Sequence, residues 1–160
     1  MTDSVADSAP AFDLTLSMIL EAPRAKIWRC WTEPGLLMQW FCPQPWTVSA
    51  ADMEVRPGGR FDVVMRSPEG QEHRNPGVFL EVVDGERLVF TDAYRAGWVP
   101  ASKPFMTGVI ALADAAQGHT RYLATARHWR AEDRQSHADM GFEAGWRAAA
   151  LQLQALARGI

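Results

Sequence analysis

Residues 31–41 read Trp31-Thr32-Glu33-Pro34-Gly35-Leu36-Leu37-Met38-Gln39-Trp40-Phe41, and residues 56–61 read Arg56-Pro57-Gly58-Gly59-Arg60-Phe61. The first stretch ends one short helix, turns at Pro34-Gly35 and begins a second helix from Leu36 to Trp40. The second stretch is a Pro-Gly-Gly turn that leads into a strand. Together they mark the point where the chain changes from helical to β structure.

Outward from this point, the pattern of apolar residues predicts the remaining elements. Residues 12–20 begin with the alternation of a half-buried strand, and Ala22-Pro23 begins the helix that carries Trp31. After Trp46 the predicted strands, separated by short turns, are 46–55, 60–66, 73–83, 87–94, 105–113 and 119–129. Short turns imply antiparallel neighbours. The longer segment 95–104 is predicted to form a rim or lid over a site.

The last part of the chain, residues 132–158, contains no proline and predicts one long helix. Its apolar face repeats at helical spacing and comprises Phe142, Gly145, Trp146, Ala149, Leu153 and Leu156. A second, weaker apolar row comprises Met140, Ala144, Leu151 and Ala155, which widens the face or meets a partner. The order of elements predicts an α+β fold in which one curved antiparallel sheet wraps a long C-terminal helix and leaves a space between them.

Length, charge and composition exclude several classes of protein. The 160 residues suit a tail (1–10) followed by one domain (11–160). A net charge of -3 argues against nucleic-acid binding. No apolar run is long enough to span a membrane, and the N-terminus lacks the features of a secretory signal. The two cysteines form no disulfide framework, so we expect reduced thiols and a cytoplasmic location.

Alternation along the strands assigns side chains to the wall of the predicted space. In residues 120–129, Tyr122 and His128 face inward, whereas Thr125 faces solvent. A mostly apolar pocket with a few polar groups is the usual form of a small-molecule site. The candidate ligand-binding residues are Trp31, Trp40, Phe61, Met65, Phe79, Phe90, Asp92, Tyr94, Trp98, Met106, Ile110, Tyr122, His128, Phe142 and Trp146.

His128 is the one candidate for catalysis, because histidine titrates near neutral pH. It would act as a general acid or base held by Asp92 or assisted by Tyr94. The alternatives are a polar contact to a ligand, or a hydrogen bond within the core, and Asp92 could equally cap a loop. Nothing near Cys30 or Cys42 favours a nucleophile. The four histidines lack metal-ligand spacing, and we expect neither a metal nor a cofactor.

The two opening stretches resemble the signature of START-like helix-grip proteins, in the branch named after the activator of heat-shock protein 90 ATPase. Further matching pieces are Met65-Arg66-Ser67-Pro68-Glu69-Gly70, Glu81-Val82-Val83, Glu86-Arg87-Leu88-Val89-Phe90-Thr91, Thr120-Arg121-Tyr122 and Phe142-Glu143-Ala144-Gly145-Trp146. The resemblance implies a helix-grip fold with a pocket between the sheet and the C-terminal helix. It also implies a range of functions that includes lipid carriers, hormone receptors, polyketide cyclases and co-chaperone domains.

One departure from the family pattern bears on function. Members of this branch often have a histidine where this chain has Phe142, and its loss favours an apolar ligand. The eukaryotic co-chaperone also has a separate N-terminal domain, for which this chain leaves no room, so a chaperone-activating role is disfavoured. We therefore expect binding of a small apolar or aromatic molecule. The alternatives are a cyclase-like or hydrolase-like enzyme using His128, and a chaperone-associated or homodimeric interaction module.

Overall fold

The computed structural model describes residues 12–160, so the predicted tail (1–10) lies outside the described residues. The helices are α1 (Arg24–Thr32), α2 (Pro34–Leu37), α3 (Ala131–Asp139) and α4 (Phe142–Gly159). The strands are β1 (Asp13–Leu20), β2 (Thr47–Met53), β3 (Phe61–Arg66), β4 (Glu72–Asn75), β5 (Val78–Val83), β6 (Arg87–Thr91), β7 (Tyr94–Arg95), β8 (Val99–Pro100), β9 (Thr107–Asp114) and β10 (Thr120–Arg127).

All strand pairs are antiparallel, and two sheets form the body of the fold. The first has the order β1-β10-β9-β6-β5 and the second the order β2-β3-β4. Backbone hydrogen bonds from Phe61 N to Gly77 O and from Phe79 N to Gly59 O join the two sheets where β3 begins beside β5. With β4 and β5 counted as one bent strand, the joined sheet has seven strands, and α4 packs on it beside β1 and α1. The α+β helix-grip prediction is confirmed.

Within residues 31–41, Pro34 determines where α1 ends and α2 begins. Because the residue before a proline disfavours helical geometry, α1 ends at Thr32, with Glu33 extended. Pro34 then becomes the first residue of α2, which therefore begins two residues earlier than predicted and ends at Leu37. Ile27, Cys30 and Trp31 form the buried side of α1.

Two predicted continuous elements are broken. The strand predicted over 73–83 is interrupted at Pro76-Gly77, where the chain passes from one sheet to the other. The helix predicted over 132–158 is interrupted at Met140-Gly141, and Gly141 has a φ of 94°, a left-handed value that ends α3 and redirects the chain into α4. The loop predicted over 95–104 overlaps the short hairpin β7–β8, which begins one residue earlier at Tyr94.

The core lies between the sheet, α1, α2 and α4. Among the residues predicted to face inward, Phe61, Leu88, Ile110 and Tyr122 are buried. Thr125, predicted to face solvent, is also buried. It lies between Thr15 of β1 and Val109 of β9 in the sheet, and its Oγ1 lies 3.3 Å from Thr15 Oγ1. No helix within residues 12–160 is long and apolar enough to cross a membrane.

Candidate functional site

Trp31 lies at the centre of an aromatic core at one end of the helix-grip fold. Its ring centroid lies 4.9 Å from that of Trp40, 5.7 Å from Phe41 and 5.7 Å from Phe90. Its Nε1 donates a hydrogen bond of 3.2 Å to the hydroxyl of Tyr122. Burial raises the pKa of Tyr122, and the bond from Trp31 only partly offsets this effect, so the hydroxyl stays neutral.

Phe61 extends this core towards the junction of the two sheets. It stacks on Phe79 with a centroid distance of 4.7 Å and meets Phe90 edge-on at 5.1 Å. Phe79 and Ile110 are almost completely buried. Seven of the candidate ligand-binding residues therefore pack mainly against other side chains of the core; they are Trp31, Trp40, Phe61, Phe79, Phe90, Ile110 and Tyr122.

Two histidines and three aromatic rings form a second cluster at the other end of the fold. We call it the histidine cluster, and its members are Phe105, His128, His137, Phe142 and Trp146. His128 follows directly after β10, and its Nδ1 lies 2.8 Å from the carbonyl oxygen of Phe12. Its Nε2 lies 2.9 Å from Nδ1 of His137, which projects from α3. Both histidines are buried, with 7% and 9% of their surface exposed.

Three aromatic rings surround His137, one from the loop before β9 and two from α4. The ring centroids of Phe105, Phe142 and Trp146 lie 5.0, 5.2 and 5.9 Å from that of His137. Desolvation by this apolar surrounding, assisted by the neighbouring His128, lowers the pKa of His137 to about 4. His137 is therefore neutral at physiological pH.

Asp92 has a structural role in the loop that leads to β9. Its Oδ1 accepts hydrogen bonds from the backbone nitrogens of Phe105 (2.9 Å) and Met106 (3.1 Å). Because Phe12 and His137 occupy both ring nitrogens of His128, the hypothesis that Asp92 holds His128 is wrong. Asp92 instead fixes Phe105, which is one wall of the histidine cluster.

Tyr94 and Trp98 lie on the β7–β8 hairpin and are 38% and 53% exposed. Their rings meet edge-on at 5.5 Å, and the ring of Trp98 covers Gly58, where an added Cβ would lie 3.0 Å from it. Trp98 has a φ of 61°, which is uncommon for a bulky residue and indicates local strain. The hairpin is thus exposed and its two aromatic side chains do not line the interior, while the role of this segment as a rim or lid over a site stays a prediction.

Three other candidates face inward but keep some exposure. Trp146 lies on the stripe of α4 that also carries Phe142 and Leu153, which are buried, yet Trp146 is only half-buried. Met65, beyond Val63 on β3, and Met106, before β9, are likewise half-buried although both pack against the core. An added Cβ at Gly145, beside Trp146, would meet no heavy atom within 4 Å.

Two clefts open on the surface near the histidine cluster. One of about 330 Å³ lies where β1, α3 and α4 meet, and its lining includes Asp13, Arg134 and Phe142. Oδ1 of Asp13 is buried there without a hydrogen-bond partner among residues 12–160. The other, of about 540 Å³, is a shallow depression along α3 that ends at Met140. Neither cleft lies between the sheet and the middle of α4.

The two cysteines do not suit nucleophilic chemistry. Both thiols are free and buried, and burial raises the pKa of each to about 11. A catalytic cysteine needs the opposite change in pKa. Within the described part of the chain, no group of three or more histidine, cysteine, aspartate or glutamate side chains could hold a metal ion.

The sequence did not identify His137 and Phe105 as site residues. On one continuous helix, His137 would point about 140° away from Phe142, because five residues turn the helix by about 500°. The break at Gly141 instead brings the two rings into contact. The glycine at position 141, directly before a strong apolar repeat, was the signal that could have revealed this break.

Comparison with known proteins supports the fold throughout the domain. Protein NE0264 from Nitrosomonas europaea is 42% identical, covers 92% of this chain and 95% of its own, and superposes with a TM-score of 0.89. Ms6760 from Mycobacterium smegmatis is 26% identical, with coverage of 91% and 90% and a TM-score of 0.76. A protein from Arthrobacter aurescens, 22% identical with coverage of 99% and 91% and a TM-score of 0.80, shares the fold. No curated protein matches the chain.

The family model for activator of Hsp90 ATPase homolog 1-like proteins matches residues 21–158. This match spans both of the opening stretches, all of the joined sheet except the edge strand β1, and nearly all of α4. The fold that this family shares is a ligand-binding fold in general. The chain belongs to the family of activator of Hsp90 ATPase homolog 1-like proteins.

Proposed function

We propose that the protein binds a small apolar or aromatic molecule between α4 and the sheet, next to the histidine cluster. The observation that carries this proposal is the incomplete burial of Trp146, Met65 and Met106, whose backbone positions face inward. An inward side chain that water still reaches borders unfilled space, and apolar walls make that space suitable for an apolar ligand.

The chemistry of the walls supports the same class of ligand. Methionine side chains are flexible and adapt to ligands of different shape, and Trp146 offers a broad flat face. Phe142 is buried beside Trp146 and adds a second apolar ring on the helical side. We propose no reaction, because the carbonyl oxygen of Phe12 and the ring of His137 already engage both ring nitrogens of His128.

Native mass spectrometry of the purified protein, followed by solvent extraction, is the first test. We expect a defined small-molecule adduct that extraction removes. Whatever this measurement finds, the site is then tested by titrating ¹⁵N-labelled protein with 1-methoxynaphthalene, a generic aromatic probe. The proposal predicts the largest chemical-shift changes at the Trp146 indole and the Met106 amide.

A filling substitution makes this test specific. Gly145→Leu should abolish the shift changes without loss of stability, because an added Cβ at Gly145 meets no heavy atom within 4 Å and leucine favours helix over glycine. Ala144→Leu, on the neighbouring exposed position, is the matched control and should bind as wild type does. Unchanged binding by Gly145→Leu, or shift changes centred on Trp46 instead, would contradict the proposed site.

A second candidate function is interaction with a protein partner, favoured by the outward row of α4. Leu151 is 48% exposed on the side of α4 opposite Leu153, and Met140, which lies between α3 and α4, is 73% exposed. Since the family is described by Hsp90 ATPase activation, Hsp90 is the partner to test. A rise in the ATPase rate of purified Hsp90 with wild type, but not with Leu151→Glu, would favour this function over small-molecule binding.

A further inference from the structure

The hydrogen bonds of the histidine cluster determine where its protons lie. The carbonyl oxygen of Phe12 can only accept, and it receives both the backbone nitrogen of His128 at 3.1 Å and Nδ1 of the same residue at 2.8 Å. Nδ1 of His128 therefore carries a hydrogen. In the neutral ring, Nε2 of His128 then has a lone pair and no hydrogen, so it must accept a hydrogen bond.

The position of the proton on His128 determines the position of the proton on His137. Nδ1 of His137 lies 2.9 Å from Nε2 of His128, so Nδ1 of His137 carries the hydrogen of this bond. A neutral His137 thus has its lone pair on Nε2. Neutrality follows from the enclosure of the ring by Phe105, Phe142 and Trp146. The backbone of Phe12 therefore sets the tautomer of His137 through His128.

Nε2 of His137 is an acceptor without a partner among residues 12–160. His137 keeps 9% of its surface exposed, and within this part of the chain the hydrogen bond of its ring uses Nδ1. The rings of Phe105, Phe142 and Trp146 around His137 are largely apolar, so Nε2 is a polar atom within an aromatic surface. One acceptor set in an apolar surrounding selects for one donor on an apolar molecule.

We propose that Nε2 of His137 accepts a hydrogen bond from the ligand, which is therefore an aromatic or apolar molecule that carries a hydroxyl or an N–H group. This inference rests on the proposed function and narrows its class of ligand. His128 is then a positioning residue that holds His137 in the accepting tautomer.

The tautomer is tested without any ligand. Long-range ¹H–¹⁵N correlation spectra of the histidine rings at neutral pH should show a protonated Nδ1 and an unprotonated Nε2 for both His128 and His137. A protonated Nε2 on His137 would overturn the proposal. Because this measurement uses the wild-type protein, it does not depend on whether a substituted cluster folds.

The class of ligand is tested with a pair of probes that differ in one donor. 1-Naphthol carries a hydroxyl, and 1-methoxynaphthalene has the same ring system without a donor. We expect wild type to bind 1-naphthol about three- to tenfold more tightly, the usual effect of one neutral hydrogen bond. His137→Phe should bind both probes equally, whereas His73→Phe, on exposed β4, should keep the preference.

The outcomes separate this inference from the proposed function. Equal binding of the two probes by wild type would overturn the role of His137 while leaving the aromatic site in place. Binding of neither probe would overturn both. A preference for 1-naphthol that persists in His137→Phe would place the acceptor elsewhere and overturn the inference alone.

Discussion

At the scale of single residues, His137 links the site to the stability of the fold. It is enclosed by three aromatic rings, and desolvation lowers its pKa from 6.5 to about 4. In the unfolded chain the ring is free to take up a proton near its ordinary pKa. The cost of keeping the ring neutral in the folded state thus appears as a dependence of stability on pH.

The sign of this dependence follows from the two pKa values. Between pH 6.5 and about 4 the unfolded chain binds a proton at His137 and the folded chain does not, so stability falls as the pH is lowered through this window. We expect a loss of about 2 kcal/mol, since partial solvent contact of the ring screens part of the effect. Urea denaturation at pH values from 7 to 4 measures the free energy of unfolding.

His137→Gln removes the titrating ring and should flatten this pH dependence, even if it lowers stability at pH 7. His73→Gln, which removes an exposed histidine on β4, supplies the baseline. Equal slopes of stability against pH for wild type and His137→Gln would show that His137 is not the responsible group.

At the scale of elements, one glycine separates two helices and another lies within a helix. Gly141 has a φ of 94° between α3 and α4, whereas Gly35 lies in α2 without a left-handed φ. An added Cβ would meet no heavy atom within 4 Å at either position. The two sites therefore differ in backbone conformation and not in the room available to a side chain.

Alanine substitution should change stability in opposite directions at these two glycines. Gly141→Ala forces a left-handed conformation on alanine and should cost about 1 kcal/mol. Gly35→Ala should stabilise by up to about 0.5–1 kcal/mol, because alanine restricts the unfolded chain and favours helix. Chemical denaturation measures both variants, and equal effects would show that the φ of Gly141 does not define the break between α3 and α4.

The broken elements also show what a sequence pattern can decide. Alternation and helical spacing correctly predicted most strands and the apolar face of α4, because burial of one face imposes those periods. They missed the break at Gly141 because the residues on both sides favour helix. Pro76-Gly77 carried a clearer signal, since proline cannot donate to a ladder, yet the apolar run after it concealed the change of sheet.

At the scale of the whole molecule, the fold was predictable and the shape of its interior was not. Periodicity assigned Trp31, Phe61 and Tyr122 to the inside, and all three are buried. It could not tell whether such rings border a space or fill it, because this depends on distances between elements far apart in sequence. The hydrogen bond between Trp31 and Tyr122 spans 91 positions of the chain. The sequence also did not reveal the pairing of His128 with His137, because the turn between α3 and α4 was not predicted.

The reaction rates of the two buried cysteines should distinguish opening of the whole core, measured at Cys30, from opening of the loop after α2, measured at Cys42. Cys30 lies on α1 and is completely buried, whereas Cys42 lies in the loop that follows α2 and is 7% exposed. Nε2 of Gln152 on α4 donates to the carbonyl oxygens of Trp40 (2.9 Å) and Cys42 (2.8 Å). This side chain therefore fastens the loop to the helix, and its loss should free Cys42 without opening α1.

Gln152→Ala should accelerate alkylation of Cys42 by iodoacetamide severalfold, while Cys30 changes only as far as global stability changes. Peptide mass spectrometry resolves the two sites. Gln154→Ala is the matched control, because Gln154 Oε1 accepts from the backbone nitrogen of Glu21 at 2.8 Å and so holds the end of β1 instead of the loop. Both thiols should react slowly in the wild type, since burial raises their pKa to about 11 and removes the reactive thiolate. If Gln154→Ala exposes Cys42 equally, or if both cysteines always react at one rate, the loop opens only with the entire core.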